Sequence, residues 1–135
     1  MIDLTQFVLA GKATFTAVSK KTGNRFTFRV RQPKENTPHF VSLMNGPDNT
    51  SSYQFMGTIF EGKNYRPGRH SKISKNALSS QAFVWLWNHR NSPDLDDKVE
   101  IKHAGKCCRC GRLLTTPLSI DDGIGPICKQ ITGLC

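Results

Sequence analysis

Alternating apolar and polar residues indicate two neighbouring strands near the start of the chain. Residues 13–18 are rich in aromatic and β-branched side chains, and residues 25–31 alternate strictly between apolar and polar. Phe26, Phe28 and Val30 are therefore predicted to face one side of a sheet, and the residues between them the other side. The sequence Lys-Lys-Thr-Gly-Asn between the two segments favours a turn. The pattern thus predicts a β-hairpin.

The pattern further along the chain predicts two more strands and one helix. Residues 39–44 and 53–60 have the composition of strands, and Gly57 inside the second one indicates a bulge or a close backbone approach. Residues 61–70 are predicted as a basic loop. Residues 80–90 repeat apolar side chains at helical spacing, and their aromatic side chains are expected to pack in the core.

Composition and charge narrow the class of protein. The chain has 135 residues, with 19 Lys and Arg, 10 Asp and Glu, and a formal net charge of +9. Its apolar share of 37% suits a globular domain rather than a disordered one. No apolar run approaches the roughly 20 residues of a membrane span, and the first residues lack the pattern of a secretory signal. We therefore expect a cytoplasmic protein without membrane contact and with a negatively charged partner.

The positive charge is concentrated in a few parts of the chain. Residues 62–90 carry six basic and no acidic side chains, and the second hairpin strand carries arginines on its polar face. Arginines two positions apart on a strand are about 7 Å apart, close to the spacing of successive phosphates. A tyrosine among cations is suited to stack on a base. An ordinary solvated sheet face and an exposed turn are the alternative interpretations. The residues expected to bind nucleic acid or another partner are Arg25, Arg29, Arg31, Lys63, Tyr65, Arg66, Arg69, Lys72, Arg109 and Arg112.

The cysteines indicate a metal site. Four of the five cysteines lie within 22 residues, and in a chain without a secretory signal such clustering favours a metal over disulfides. Cys107-x-x-Cys110 followed by glycine is typical of a zinc knuckle, in which a tight turn brings two thiolates to one ion. Cys128, at the start of a predicted short helix, is the third predicted ligand.

Three thiolates leave one position of a tetrahedral zinc site to be filled. His103 follows a strand-like segment that leads into the knuckle, and we assign it as the fourth ligand. Cys135, Cys108 and an open position are the alternatives. Four protein ligands leave no place for a catalytic water, so we expect one structural Zn²⁺ ion.

The segment from His103 to Cys128 resembles a known family. It begins His-x-x-x-Cys-x-x-Cys-Gly-Arg and ends Gly-Ile-Gly-Pro-x-Cys, and it is similar to a zinc-binding domain of uncharacterised function that is frequent in bacteriophage and mobile-element proteins. Residues 7–60 resemble the companion region of small phage proteins that carry this domain. The resemblance implies a phage origin, hence the cytoplasm of a bacterial host, but no activity. The ligands that it implies are His103, Cys107, Cys110 and Cys128.

These observations predict an α+β fold. We expect an antiparallel β-sheet of four or five strands with one packed α-helix, followed by a small C-terminal zinc knuckle module. Residues 1–92 form the basic body, residues 93–98 an acidic linker after the turn-prone sequence Asn-Ser-Pro, and residues 99–135 the zinc-binding module.

The leading functional hypothesis is a small zinc-stabilised protein that binds DNA or RNA, mainly through phosphates. The alternative is a protein–protein interaction module of a phage, which inhibits a host or defence protein such as a nucleic-acid-processing complex. We do not expect an enzyme, because His39, His70 and His89 are scattered and no carboxylate pair lies near them in the sequence.

Overall fold

The computed structural model describes residues 4–44, 53–69 and 71–103, which form an antiparallel β-sheet and three short helices. The strands are β1 (Lys12–Ser19), β2 (Arg25–Arg31), β3 (His39–Met44), β4 (Tyr53–Phe60), β5 (Asn64–Pro67) and β6 (Val99–His103). The helices are α1 (Leu4–Val8), α2 (Leu78–Asn88) and α3 (Leu95–Lys98). No helix in this part of the chain is long and apolar enough to cross a membrane.

The six strands lie in the order β5-β4-β3-β2-β1-β6. The first five follow one another as a meander, and β6 returns to pair with the open edge of β1. This last pairing runs from Val99 opposite Ser19 to His103 opposite Phe15. Every neighbouring pair is antiparallel. The α+β class and the antiparallel sheet predicted from the sequence are therefore confirmed. The sheet has six strands rather than the four or five expected, and the described residues form three short helices rather than one.

The predicted hairpin, the two further strands and the helix are present with small shifts at their ends. The hairpin corresponds to β1 and β2, the next strands to β3 and β4, and the helix predicted at residues 80–90 begins two residues earlier as α2. The basic loop predicted at residues 61–70 contains β5, which has only 4 residues. Such a strand is too short to show an alternation in the sequence.

The segment around the predicted linker is part of the folded body. Within residues 93–98, the helix α3 forms a single turn, and the strand β6 directly follows it. Leu95 and Val99 are both 8% exposed and belong to the hydrophobic core. The first residues of the predicted zinc module thus lie in the same sheet as the hairpin, whereas the predicted knuckle lies outside the described residues.

The core lies between one face of the sheet, the inner face, and the helices. Phe15, Phe28 and Val41 of this face are each 0% exposed. Phe83 of α2 packs on them, with its ring centroid 5.1 Å from that of Phe28. Phe7 of α1 contacts Phe15 edge-on at 6.1 Å. All three described helices contribute buried residues to this one core, so they pack on the same side of the sheet.

Gly57 in β4 is a point of close backbone approach. The pairing of β3 with β4 changes register between Val41 and Ser42, close to this glycine. A Cβ atom on Gly57 would overlap the hydroxyl of Tyr65 and lie 2.6 Å from the carbonyl oxygen of Arg66. The bulge and the close approach predicted from the sequence are both confirmed, and they allow β5 to pack tightly beside β4.

Candidate nucleic-acid interface

The face of the sheet opposite the helices, the outer face, is formed by the polar half of the strand alternation. In β2, Phe28 and Val30 are buried, whereas Arg25 and Arg31 are exposed and Arg29 is half-buried. Because side chains alternate along a strand, the three arginines share the outer face. The structure confirms this part of the sequence prediction.

One row of side chains crosses five strands of the outer face. Each member of the row lies opposite the next in the antiparallel pairing, and the row runs Lys12–Arg31–Phe40–Thr58–Arg66. Directly paired residues share a face, and neighbouring strands are about 4.8 Å apart, so the row is about 19 Å long. The pairing therefore unites Arg66, from the predicted basic loop, with the arginines of the hairpin.

Four aromatic side chains lie along the middle of the outer face and form what we call the aromatic ridge: Phe60, Phe40, Phe55 and Tyr53. Phe40 lies opposite Thr58 of β4, and Phe60 follows two residues later on the same face. Phe40 contacts Phe55, with ring centroids 6.3 Å apart and nearly perpendicular planes. Phe40 and Phe60 are 39% and 40% exposed, so solvent reaches both rings.

Arg29 and Tyr53 form a stacked pair at one end of the ridge. The guanidinium carbon of Arg29 lies 4.1 Å from the centroid of the Tyr53 ring, a cation–π distance. Burial lowers the pKa of Arg29, and the charge of Arg31 lowers it further, but a guanidinium group remains charged in proteins. Burial raises the pKa of the Tyr53 hydroxyl, and the two arginines oppose this rise. Near neutral pH the pair therefore presents a cation over a neutral phenol.

The outer face carries a strong excess of positive charge. Its cations on the described strands are Lys12, Arg25, Arg29, Arg31, Arg66 and Lys102, and its carboxylate there is Glu100. Glu100 lies at the edge strand β6, with its oxygen 3.9 Å from the nitrogen of Lys102. Within the described ranges, no carboxylate forms an ion pair with Arg25, Arg31 or Arg66. These arginines are therefore available to an anionic ligand.

Tyr65, predicted to stack on a base, lies instead on the inner face. It pairs with Ile59 between β4 and β5, and its ring centroid is 4.7 Å from that of Phe83. Burial raises the pKa of its hydroxyl above the usual value. The sequence prediction takes this segment as a loop, and so it misses the alternation of β5 that turns Tyr65 inward. The aromatic side chains on the outer face are those of the ridge, whose common face emerges only from the pairing of β3 with β4.

Tyr65→Phe is expected to raise the free energy of unfolding by about 1 kcal/mol, because a buried hydroxyl without a partner carries a desolvation cost of roughly 1–3 kcal/mol. The Tyr65 hydroxyl is buried and has no hydrogen-bond partner among the described residues. Urea unfolding of the two proteins measures the difference. A Tyr65→Phe protein that is less stable than the wild type would contradict this assignment of a buried hydroxyl without a partner.

The other predicted contact residues do not belong to the row or the ridge. Lys63, Arg69 and Lys72 are exposed and lie in the turns on either side of β5. They lie beside the edge strand β5 and not on a strand of the outer face. Arg109 and Arg112 are outside the described residues.

His103 is the predicted zinc ligand that falls within the described part of the chain. It ends β6 opposite Phe15 and is half-buried. No group of three or more His, Cys, Asp or Glu side chains that could hold a metal ion occurs among the described residues. The remaining predicted ligands lie outside these residues: Cys107, Cys110 and Cys128, together with the alternatives Cys108 and Cys135.

The histidines of the described body are engaged with the backbone. His39 is buried, and its Nε2 lies 3.0 Å from the carbonyl oxygen of Leu9, to which it is positioned to donate. The Nδ1 of His89 lies 2.7 Å from the carbonyl oxygen of Trp85 in α2. The His39 contact joins β3 to the segment after α1, and the His89 contact lies at the C-terminal end of α2, so both side chains have structural partners.

Residues 99–130 match a family of unknown function, DUF6011. The match covers less than half of the chain, begins at the first residue of β6, and contains His103 and the three predicted cysteine ligands. It agrees with the resemblance of this segment to a domain of uncharacterised function. Strands β1 to β5, which carry most of the outer face, lie before the matched segment. Comparisons with curated proteins and with solved structures gave no match.

Proposed function

We propose that this protein binds nucleic acid on the outer face of its sheet. The observation that carries the proposal is the row that crosses five strands, in which cations lie on both sides of an exposed aromatic ring. Six cations and one carboxylate on the described strands complement a polyanion. The aromatic ridge adds apolar contact area that phosphate binding alone does not need.

In this proposal the arginines supply most of the affinity. A guanidinium group binds phosphate oxygens through paired N–H donors, and Arg31 and Arg66 lie on opposite sides of Phe40 in the row. Phosphates are common to DNA and RNA, so both polymers are possible ligands. Binding that neutralises phosphates releases counterions, and it weakens steeply as the salt concentration rises.

The double variant Arg31→Ala and Arg66→Ala is expected to weaken binding at low salt and to flatten its salt dependence. Each lost phosphate contact reduces the slope of log K against log salt by about 0.7–0.9. Fluorescence anisotropy titrations of a labelled oligonucleotide at several salt concentrations measure this slope. Lys34→Ala with Lys75→Ala is the matched control, because it removes two exposed cations in turns outside the strands. If the wild-type protein binds neither DNA nor RNA at low salt, the proposed function is wrong.

We also propose that the C-terminal segment holds one structural Zn²⁺ ion through His103, Cys107, Cys110 and Cys128. Thiolate and imidazole are the donors that zinc prefers, and Cys-x-x-Cys spacing suits one tetrahedral ion. His103 is the last residue of β6, so a metal held by it would connect the C-terminal segment to the edge of the sheet. The resemblance of this segment supports a bacteriophage origin and a place in the cytoplasm of the bacterial host.

The alternative function is inhibition of a host or defence protein by the same basic face. It predicts a stoichiometric protein partner in host lysate that stays bound after nuclease treatment. The proposed function predicts instead that nuclease removes what the outer face captures.

A further inference from the structure

We infer that the ligand of the outer face is a single-stranded nucleic acid whose bases stack on Phe40 and Phe60 between Arg31 and Arg66. The inference rests on the proposed function, and it adds to that function the strand class and the base contacts. Its basis is the juxtaposition of exposed rings with flanking arginines on one face of the sheet.

The exposure of Phe40 and Phe60 is not explained by packing of the fold. Phe15 and Phe28 on the inner face are 0% exposed, whereas Phe40 and Phe60 are 39% and 40% exposed. Phe40 also contacts Phe55 on the same face, and a large exposed apolar patch rimmed by polar residues usually marks an interaction site. The rings therefore point to a ligand with apolar faces of its own.

The two rings are spaced for neighbouring bases. Phe40 pairs with Thr58, and Phe60 lies two residues beyond Thr58 on the same face, a diagonal relation that separates the residues by about 7–8 Å. Each ring accepts the face of any base, and such stacking contributes about 1–3 kcal/mol per base. Arg31 lies directly opposite Phe40 on the neighbouring strand, so a base on the ring brings its phosphate towards a guanidinium group.

A duplex cannot use the aromatic ridge in this way. The faces of bases inside a duplex are covered by the neighbouring base pairs, and a protein reaches only phosphates, sugars and the edges of bases in the grooves. Aromatic side chains on a sheet surface stack on bases that are unpaired, as in the sheet-based modules that bind single-stranded RNA. A duplex on the outer face would contact the arginines and leave the rings unused.

The charge of the outer face opposes self-association through the ridge. A second copy placed face to face would bring the six outer-face cations of one chain against those of the other. Like charges in close opposition are unfavourable. A single-stranded polyanion instead satisfies the apolar ridge and the flanking cations together.

Anisotropy titration with three probes tests the inference. The first is a single-stranded DNA of about ten nucleotides, the second is an abasic strand with the same number of phosphates, and the third is a duplex of the first sequence. The wild-type protein is expected to bind the normal strand at least about fivefold more tightly than the abasic strand, because stacking adds at least one contact of about 1–3 kcal/mol. The same sequence as RNA is measured in parallel, and stacking on either sugar backbone supports the inference.

Phe40→Leu and Phe60→Leu keep apolar volume but remove the ring. Each is expected to weaken binding of the normal strand about 5- to 150-fold, the range that corresponds to about 1–3 kcal/mol. Binding of the abasic strand and of the duplex is expected to stay unchanged. Phe60 lies at the exposed end of β4, so Phe60→Leu is expected to fold normally and decides the test where Phe40→Leu lowers stability.

Equal affinity of the wild-type protein for the normal and abasic strands would overturn the inference but leave the proposed function intact, because phosphate contacts would then explain binding. Tighter binding of the duplex than of the normal single strand would also overturn the inference and leave the proposed function intact. Absence of binding to every probe at low salt would remove the proposed function and the inference together. The remaining outcome is that an acidic protein binds the aromatic ridge and no nucleic acid does. This result would overturn both the proposed function and the inference.

Discussion

Phe83→Ala is expected to lower the free energy of unfolding by about 3–5 kcal/mol, the usual cost of deleting a buried phenylalanine side chain. Phe83 is 1% exposed, and its ring contacts those of Phe28 at 5.1 Å and Tyr65 at 4.7 Å. The ring of Trp87 stacks nearly parallel to it at 6.4 Å. Removing this ring leaves a cavity where α2 meets the sheet. Since the free energy of unfolding of a small domain is only about 5–15 kcal/mol, this substitution would remove a large part of it.

Phe60→Ala is the matched control for this prediction. It deletes the same atoms from a ring that is 40% exposed on the outer face, so its cost is expected to stay within about 1 kcal/mol. Urea unfolding followed by the fluorescence of the two tryptophans in α2 measures both variants. Phe60→Ala is expected to weaken single-strand binding, whereas Phe83→Ala lowers stability and leaves the affinity of the folded fraction unchanged. Equal losses of stability would contradict the assignment of the two faces.

The sequence predicts those elements that are long enough to repeat a pattern. In β2, the 7 residues from Arg25 to Arg31 show three apolar positions on one face, and the alternation is unambiguous. In β5, the 4 residues place only two side chains on each face. Its strand conformation comes from pairing with β4, which is a tertiary contact, so the inward direction of Tyr65 is not evident from the sequence alone.

The position of β6 shows a second limit of sequence patterns. The sequence of residues 99–102 predicts a strand, but it does not predict which strand this one pairs with. The meander leaves one edge of β1 unpaired, and Val99 and Ile101 complete the apolar inner face when β6 occupies that edge. The free energy of this long-range pairing, and not local propensity, joins the segment to the body.

In the candidate site, too, patterns within one strand are predictable from the sequence, whereas contacts between strands are not. The outer position of Arg29 and Arg31 is predictable from alternation within one strand. The placement of Phe40 between Arg31 and Arg66 requires three successive registers, including the bulge next to Gly57. An aromatic side chain at an alternating position is therefore assigned to the core or to a binding face only once its neighbours on the sheet are known.

Removal of the proposed zinc ion is expected to have its largest effect on the segment after β6. The 135-residue protein, purified in reducing buffer without chelator, is expected to contain one zinc ion per chain. Structural zinc in finger peptides contributes about 10–16 kcal/mol of apparent folding free energy, and a segment this short has little apolar surface to replace it. Chelation is therefore expected to make residues 104–130 sensitive to protease. The sheet is expected to keep its unfolding transition, because its core is formed by the strands and helices before residue 104.

Single substitutions in the full chain assign the zinc ligands. Elemental analysis measures the zinc content of each variant, and limited proteolysis reports on the segment independently of metal content. Cys108→Ser is the matched control and is expected to retain zinc, because in zinc knuckles the residues between the two ligands normally point away from the ion. Loss of zinc in His103→Ala and its retention in Cys135→Ser would assign His103 as the fourth ligand, whereas the reverse result would assign Cys135. Zinc-free wild-type protein whose protease resistance is unaffected by chelation would contradict the metal site. The variants expected to lose zinc are Cys107→Ser, Cys110→Ser and Cys128→Ser.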